Sequence, residues 1–388
     1  MAAGTDTRSA ERDEIRALAR EFALKEVLPV ANELDPVEGD IPMALRDKLA
    51  ELGFFGILIP EEFGGLGLGY VEYVIVTEEL SRAWMSVGSI IRCANSFTPG
   101  FSEELKQRYL PKMARGELLG AFALSEPGMG SDAAAVTCRA ERDGDEWVVN
   151  GAKMWCTFAD GADYIVLMAR TAPAPEGGQR HLGISAFLIE KERGTFPPGI
   201  HSTPIRKIGY FGWKTWELAF DDFRIPAANL LGEEGRAFYS AMFSLDVGRL
   251  HTAARAIGVA RGALEDSLAY ARQRTQFGKP ISEFQAIRFK LAEMAADIEA
   301  ARHLMLYAAD RLDQGHRCDT EAAMAKLVAS EMAERVTSEG IQIHGGAGYT
   351  KDCAVERYWR DARLTRIFEG TSEIQKHIIS SRLLKEAS

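Results

Sequence analysis

Three stretches near the C-terminal end, residues 236–272, 281–312 and 320–343, carry apolar side chains at helical spacing for more than twenty residues each. Only short loops separate them. An ordinary globular helix is three or four turns long. Helices of this length in succession must bury their stripes against one another, and with a fourth helix after residue 372 they predict an antiparallel four-helix bundle. Pro280 ahead of the second and Gly345-Gly346 beyond the third are suitable punctuation. Upstream the pattern is helical again from Glu11 to about Gly120, with Ile15, Leu18, Ala19 and Phe22 as the first repeat. From about Ala121 the period drops to two. Residues 137–142 and 146–154 alternate around Asp143-Gly144, a hairpin signal, and 164–169, 184–189 and 216–220 read as further short strands. The order is helical, then β, then helical: an α+β chain, mostly α, with a small barrel or sandwich in the middle.

At 388 residues the chain exceeds one ordinary domain. Its net charge of −10, with no basic stripe, argues against a nucleic-acid partner. No apolar run approaches a membrane span, and the first dozen residues read as a polar tail rather than a signal peptide. The five cysteines are scattered with no Cys-x-x-Cys pair. They read as reduced thiols of a cytoplasmic protein, and neither a disulfide framework nor a metal site is expected.

Residues 366–375 (Arg-Ile-Phe-Glu-Gly-Thr-Ser-Glu-Ile-Gln) place Glu369 between Phe368 and Gly370, just before a helix that Thr371 or Ser372 can cap. A carboxylate in such a loop, partly desolvated and with a raised pKa, suits general-base work. An acid favoured by a helix dipole is the plainer account. The turn 125–132 (Ser-Glu-Pro-Gly-Met-Gly-Ser-Asp) offers backbone N–H groups to an anion or ring edge. It also fits Gly-x-Gly-x-x-Ala, but hairpin strands follow where a βαβ unit is needed, so a Rossmann site is rejected. Trp155 and Thr157 end a strand, as a cover for a flat heteroaromatic ring or as core. Residues 272–279 hold Arg272, Arg274 and Lys279, which suit a helix dipole or a pyrophosphate. Residues 342–348 are a helix C-cap or a place of close backbone approach, and His344 reads as structural. Asp246 and Arg249 are spaced as an i, i+3 ion pair or as ligands.

In set, order and spacing, segments 124–132, 153–157, 274–279, 342–348 and 368–375 resemble the acyl-CoA dehydrogenase family, nearest in pattern to short-chain, butyryl-type members. The likeness runs from about Glu11 to Leu384. It implies a helical N-terminal domain (1–120), a small β-barrel middle domain (121–234) and a C-terminal four-helix bundle (235–388). It also implies FAD, held non-covalently between barrel and bundle. Phe122, Leu124, Ser125, Gly130 and Ser131 match the segment along the flavin, and Trp155 and Thr157 match residues at its ring. Thr371 and Glu373 match further cofactor contacts. Arg274, Phe277, Gln342 and Gly346 match contacts made across a subunit boundary, which implies a homotetramer.

Glu369 matches the family's base. Some members carry the base at the position of Gly248 instead, where glycine has no such chemistry. Asp246, Arg249, Phe368 and Gly370, with Ser131, match substrate contacts, although tyrosine is common where Phe368 stands. The implied reaction is α,β-dehydrogenation of an acyl-CoA to the trans-2-enoyl-CoA. Glu369 takes the α-proton, the β-hydride goes to flavin N5, and the flavin ribityl 2′-hydroxyl and the Glu369 N–H polarise the carbonyl. An electron-transferring flavoprotein is the implied acceptor, in fatty-acid β-oxidation or organic-acid catabolism.

The acyl group is set along residues 87–98, in a segment shorter than in short-chain members. An acyl-carrier-protein or dicarboxylyl thioester stays open there, as does a non-catalytic flavin-binding partner of the same fold. Arg92, among Ile90, Ile91 and Cys93, reads as a charge on a solvated helix face. The alternative is a partner for a second carboxylate, although it is not at the position of the arginine in glutaryl-CoA dehydrogenases.

Overall fold

Helices open the chain because its apolar residues recur at three and four: α1 (Ala3–Phe22), a π-helical turn (Ala23–Val27), α2 (Leu28–Leu34), α3 (Met43–Glu51), α4 (Tyr70–Ala83), α5 (Met85–Ile90), α6 (Arg92–Asn95) and α7 (Glu103–Ala114). The structure, a computed structural model, describes residues 3–95 and 100–386. Part of the predicted acyl-end segment, residues 96–98, lies outside the described residues. Ser102 caps α7, its hydroxyl accepting from the Leu105 N–H at 3.2 Å.

The middle of the chain forms β1 (Gly120–Ala123), β2 (Arg139–Asp143), β3 (Glu146–Thr157), β4 (Tyr164–Arg170), β5 (Ile184–Glu190), β6 (Ile200–Pro204), β7 (Thr215–Pro226) and β8 (Leu230–Leu231). They make one sheet in the order β6-β7-β3-β2-β4-β5-β8, with β1 added parallel to β4. The Asp143-Gly144 turn joins β2 to β3 as expected, with Asp143 opposite Glu146 and Gly144 at φ 60°. One face encloses its own apolar core, including Trp147, Phe187, Leu218 and Phe220.

Four long helices finish the fold: α8 (Ala237–Gln273), α9 (Gln285–Asp313), α10 (Asp319–His344) and α12 (Ser372–Glu386), with α11 (Ala354–Thr365) before the last. A two-stranded ribbon, β9 (Thr275–Gln276) and β10 (Lys279–Pro280), separates α8 from α9. Pro280 therefore does not open α9. It ends β10, and a 3-10 turn over Ile281–Glu283 intervenes before the helix starts.

The middle of α8 is buried continuously from Val247 to Ala263, as befits a helix surrounded by others. Gly258 permits this. A Cβ there would lie 2.5 Å from the Glu78 carbonyl oxygen of α4. The close crossing sets α4 and α8 side by side, and their side chains form the inner wall of the site described next.

Candidate active site

Residues 366–371 reverse the chain between α11 and α12. Phe368 N–H still bonds to the Leu364 carbonyl at 3.2 Å, and then Glu369 and Gly370 take left-handed dihedrals, φ 55° and 87°. For glutamate that conformation costs about 1–2 kcal/mol, so the surroundings must impose it. They do so from α10 and α12. Lys326 Nζ and Gln375 Nε2 both donate to the Gly370 carbonyl, at 2.7 and 2.8 Å. Glu331 accepts from Arg366 Nε at 2.9 Å and from Ser372 Oγ at 2.7 Å. Thr371 supplies the cap, its Oγ1 accepting from the Ile374 N–H at 3.3 Å.

The Glu369 carboxylate points inward, with 17% of its side chain exposed, and ion-pairs with Arg92 of α6. This corrects two expectations. Arg92 is not on a solvated face, since only 10% of its side chain is exposed. The carboxyl is not raised either. Burial alone would push it up, but Arg92, then Arg255 and Lys326, outweigh burial and hold it below its ordinary value. Arg255 is buried on α8 and bonds only neutral hydroxyls through its terminal nitrogens: Ser89 at 2.9 Å, Tyr210 at 3.2 Å and Thr252 at 2.9 Å. Its guanidinium lies 4.3 Å from the centre of the Phe368 ring. Burial pushes Lys326 down to about 7. Behind them Tyr73 stacks on His251, whose burial keeps it neutral.

Gly248 lies beneath the ion pair. A Cβ there would stand 2.7 Å from Arg92 Nη2 and 2.8 Å from Glu369 Oε2. Both atoms end flexible side chains, so an added methyl displaces the pair without breaking the helix. Gly248→Ala is expected to lower turnover by about 10–10²-fold through a displaced carboxylate, while the better helix former holds stability level or raises it by up to about 1 kcal/mol. Turnover and thermal midpoint on one preparation check this. On either side of Gly248, within the same turn, Asp246 and Arg249 form the expected i, i+3 ion pair, and burial raises the Asp246 carboxyl to about 6.

The residues proposed for the flavin fall into two groups. Phe122, Leu124 and Ser125 follow β1 along the end of β3. The Phe122 carbonyl accepts from Cys156 Sγ, the Leu124 carbonyl from Lys153 Nζ and the Ser125 carbonyl from Met154 N–H, at 3.4, 2.9 and 2.8 Å. This brings them beside Trp155 and Thr157. Trp155 is not core: it sits at φ 64° with 56% of its surface exposed. In the turn that Ser125 opens, Gly130 has open space where a Cβ would stand, and Ser131 is exposed. A large indole left uncovered beside an open backbone turn fits a flat ring system such as isoalloxazine. Thr371 and the exposed Glu373 lie at the α12 end of the Glu369 loop.

The second group, Arg274, Phe277, Gln342 and Gly346, is exposed at the far end of the bundle, with Phe277 93% exposed. Tyr270 stacks on His344 at 4.3 Å, holding the ends of α8 and α10 together. At a rise of 1.5 Å per residue, Arg274 is roughly 39 Å along α8 from Gly248. The fold does not bring these four to the Glu369 site of the same chain.

Sequence reasoning did not single out Arg255, Lys326, Tyr73, Tyr210 or Glu126. The signal available was a lone cation in a small-residue helical run, as in Ala253-Ala254-Arg255-Ala256 and Ala325-Lys326-Leu327. Among the described residues no cluster of metal-ligating side chains occurs, and no helix is long and apolar enough to cross a membrane.

A largely buried carboxylate on a strained loop against a helical wall, with an exposed indole near the end of a strand, fits the class of flavin-dependent oxidoreductases. Sequence profiles of the acyl-CoA dehydrogenase N-terminal, middle and C-terminal domains match residues 9–117, 121–223 and 235–384. The chain is similar to an acyl-CoA dehydrogenase of Bacillus subtilis (strain 168), 44% identical over 375 residues, 95% of this chain and 97% of that one. It is 43% identical over 384 residues to (2S)-methylsuccinyl-CoA dehydrogenase of Cereibacter sphaeroides, covering 96% of this chain and 70% of the relative. Butyryl-CoA dehydrogenase of Megasphaera elsdenii superposes with a TM-score of 0.90 at 37% identity, over 96% and 98% of the two chains. The protein belongs to the acyl-CoA dehydrogenase family, whose members are FAD-dependent enzymes, and it has the family's helical, β and four-helix-bundle layout.

Proposed function

We propose that Glu369 is the base that removes the α-proton of an acyl-CoA thioester in flavin-dependent α,β-dehydrogenation. The observation that carries this is the Glu369 carboxylate itself: largely shielded from water, held below its ordinary pKa, and carried on a left-handed loop fixed by Lys326 and Gln375. Bound FAD supplies the acceptor for the β-hydrogen and its electron pair. The chain's own groups do the rest. Phe122, Leu124, Ser125, Gly130 and Ser131 would lie along the flavin, with Trp155 and Thr157 at its ring and Thr371 and Glu373 as further contacts to the cofactor. Phe368, Gly370, Asp246 and Arg249 would border the thioester, with the Glu369 N–H directed to its carbonyl. The low exposure of Glu369 and Arg92 would strengthen each of these interactions by keeping water away.

The second group of residues supports a homotetramer. Arg274, Phe277, Gln342 and Gly346, remote from their own Glu369, would complete a partner's cofactor site. The exposed rings of Phe277 and Tyr349 would be covered there. A cytoplasmic enzyme is proposed on its five unpaired thiols, with an electron-transferring flavoprotein as acceptor on the family likeness alone.

Anaerobic mixing of the flavoprotein with a panel of acyl-CoAs tests the reading. Bleaching of the flavin band by at least one class, with the enoyl-CoA as product, is expected. A bound flavin that no thioester bleaches would sink it, and peroxide released in air would identify an oxidase instead.

A further inference from the structure

A carboxylate held by arginine is a poor base, because the guanidinium both stabilises its charge and occupies its lone pairs. Arg92 Nη1 donates to Glu369 Oε1, and Nη2 reaches the Ser244 carbonyl at 3.4 Å. For Glu369 to meet a substrate Cα–H, Arg92 has to let go. A buried guanidinium that gives up a carboxylate keeps its charge in the protein interior, where an incoming anion is strongly favoured. A second carboxylate on the substrate can take that place.

The charges facing Glu369 point to where that anion comes from. Arg92 on α6, Arg255 on α8 and Lys326 on α10 all surround it. Arg249 on α8 is paired with Asp246, and His251 on the same helix is neutral. Tyr73 on α4, Tyr210 and Cys93 are all held in the uncharged state by burial. Among the described residues the surroundings of Glu369 therefore carry two arginines, and a lysine that burial pushes to about 7, to its single carboxylate. Arg255 makes no hydrogen bond to an acid among the described residues and feels Glu369 only through space, and its Nε is buried without a hydrogen bond. Positive charge is therefore in excess around Glu369, and an acyl chain that enters there can bring a negative charge.

We propose that Arg92 is a specificity residue that pairs with Glu369 before substrate arrives and passes to a second carboxylate on the acyl chain, so that the substrate is a short dicarboxylyl thioester whose own charge frees the base. The inference rests on Glu369 being the base. The chain length follows from contact. Arg92 touches Glu369, and the pair meets over Gly248. The second carboxylate therefore lies close to the reacting carbons, two or three carbons beyond Cα, as in succinyl or glutaryl thioesters. The step balances as an ordinary dehydrogenation. The α-proton goes to Glu369, the β-hydrogen leaves with its electron pair to bound FAD, and a double bond forms between Cα and Cβ.

The test compares thioesters matched in length on the holoenzyme under anaerobic conditions: succinyl-CoA and glutaryl-CoA against butyryl-CoA and valeryl-CoA. The expected result is a kcat/KM at least about 10²-fold higher for the dicarboxylyl partners, as loss of a buried charge-assisted pair implies. Arg92→Met is expected to collapse or invert that ratio, and Arg92→Lys to restore part of it. In Arg92→Met the acid limb of the kcat/KM profile moves to higher pH, because Glu369 keeps its burial and loses its strongest counter-charge, a change that a merely structural arginine would not cause. A wild-type preference for the uncharged esters overturns the proposal, and so does a ratio that Arg92→Met leaves unchanged. In that case bleaching by the neutral esters, abolished by Glu369→Gln, leaves the base assignment standing. If neither kind of ester bleaches the flavin, both fall. The wild-type ratio decides the matter alone should Arg92→Met fail to fold.

Discussion

Glu369→Gln is expected to slow anaerobic flavin bleaching by about 10³-fold or more while leaving FAD bound and the chain folded. The amide keeps the size of the side chain and still accepts from Arg92, so the left-handed loop and its ties to Lys326 and Gln375 survive. It cannot take up a proton, which is the property the reaction needs. A stability cost of roughly 1–3 kcal/mol accompanies the change, since a charge-assisted pair becomes a neutral hydrogen bond facing a buried guanidinium. The pH dependence has a definite sign. Glu369 is held below its ordinary value of 4.5, so its pairing contributes stability above that pH and loses it as the pH falls through the lowered value. The Gln variant lacks that part of the acid sensitivity. Urea unfolding at pH 7 and pH 4 should therefore show the difference between wild type and variant shrinking toward acid. Turnover within a few fold of wild type would remove Glu369 from the chemistry.

What the sequence disclosed and what it hid divide along one physical line. Features set by neighbours in the chain were legible. The Asp143-Gly144 hairpin, the long helices and the capped loop around Glu369 all lie close to where periodicity and turn chemistry place them. Features set by distant partners were not. Strand β1 is four residues long and exists because it pairs with β4, more than forty positions on. The ribbon of β9 and β10, which displaced the expected start of α9, is the exception, a local turn between residues 276 and 279 that helical periodicity does not register. Arg92 is the sharpest case. In one dimension a cation on a short helix looks solvated. It is buried because α8 and the Glu369 loop, remote in sequence, close over it. The same closure turned the predicted rise of the Glu369 pKa into a fall. Burial was read correctly from Phe368 and Gly370, but three cations brought from α6, α8 and α10 outweigh it.

Lys153→Met carries the largest expected effect on stability. Both members of the Lys153–Glu126 pair are nearly inaccessible, at 0% and 4% side-chain exposure, with Nζ to Oε1 at 2.7 Å. Glu126 also accepts from the Thr137 and Cys138 N–H groups, each at 2.9 Å, and from the Thr137 hydroxyl at 2.5 Å. One carboxylate thus ties together the two ends of the turn that carries Gly130 and Ser131. Methionine matches the lysine stem and removes its charge, stranding a buried anion at a cost of about 3–5 kcal/mol. Flavin retention should fall with it, because the turn beside Trp155 loses its anchor. In the wild type, burial favours the neutral carboxyl, yet Lys153 and the other donors hold Glu126 below its ordinary value. Without the ammonium, burial goes unopposed by charge and the carboxyl rises. A folded-state pKa above the unfolded one means that the native chain binds more protons, so the variant's deficit should be smaller near pH 5 than near pH 8, the reverse of the wild-type trend. Adding Glu126→Gln to Lys153→Met should recover part of the loss, since the stranded charge disappears. A single variant that melts within about 1 kcal/mol of wild type at pH 8 would mean that the turn is held by its backbone bonds alone.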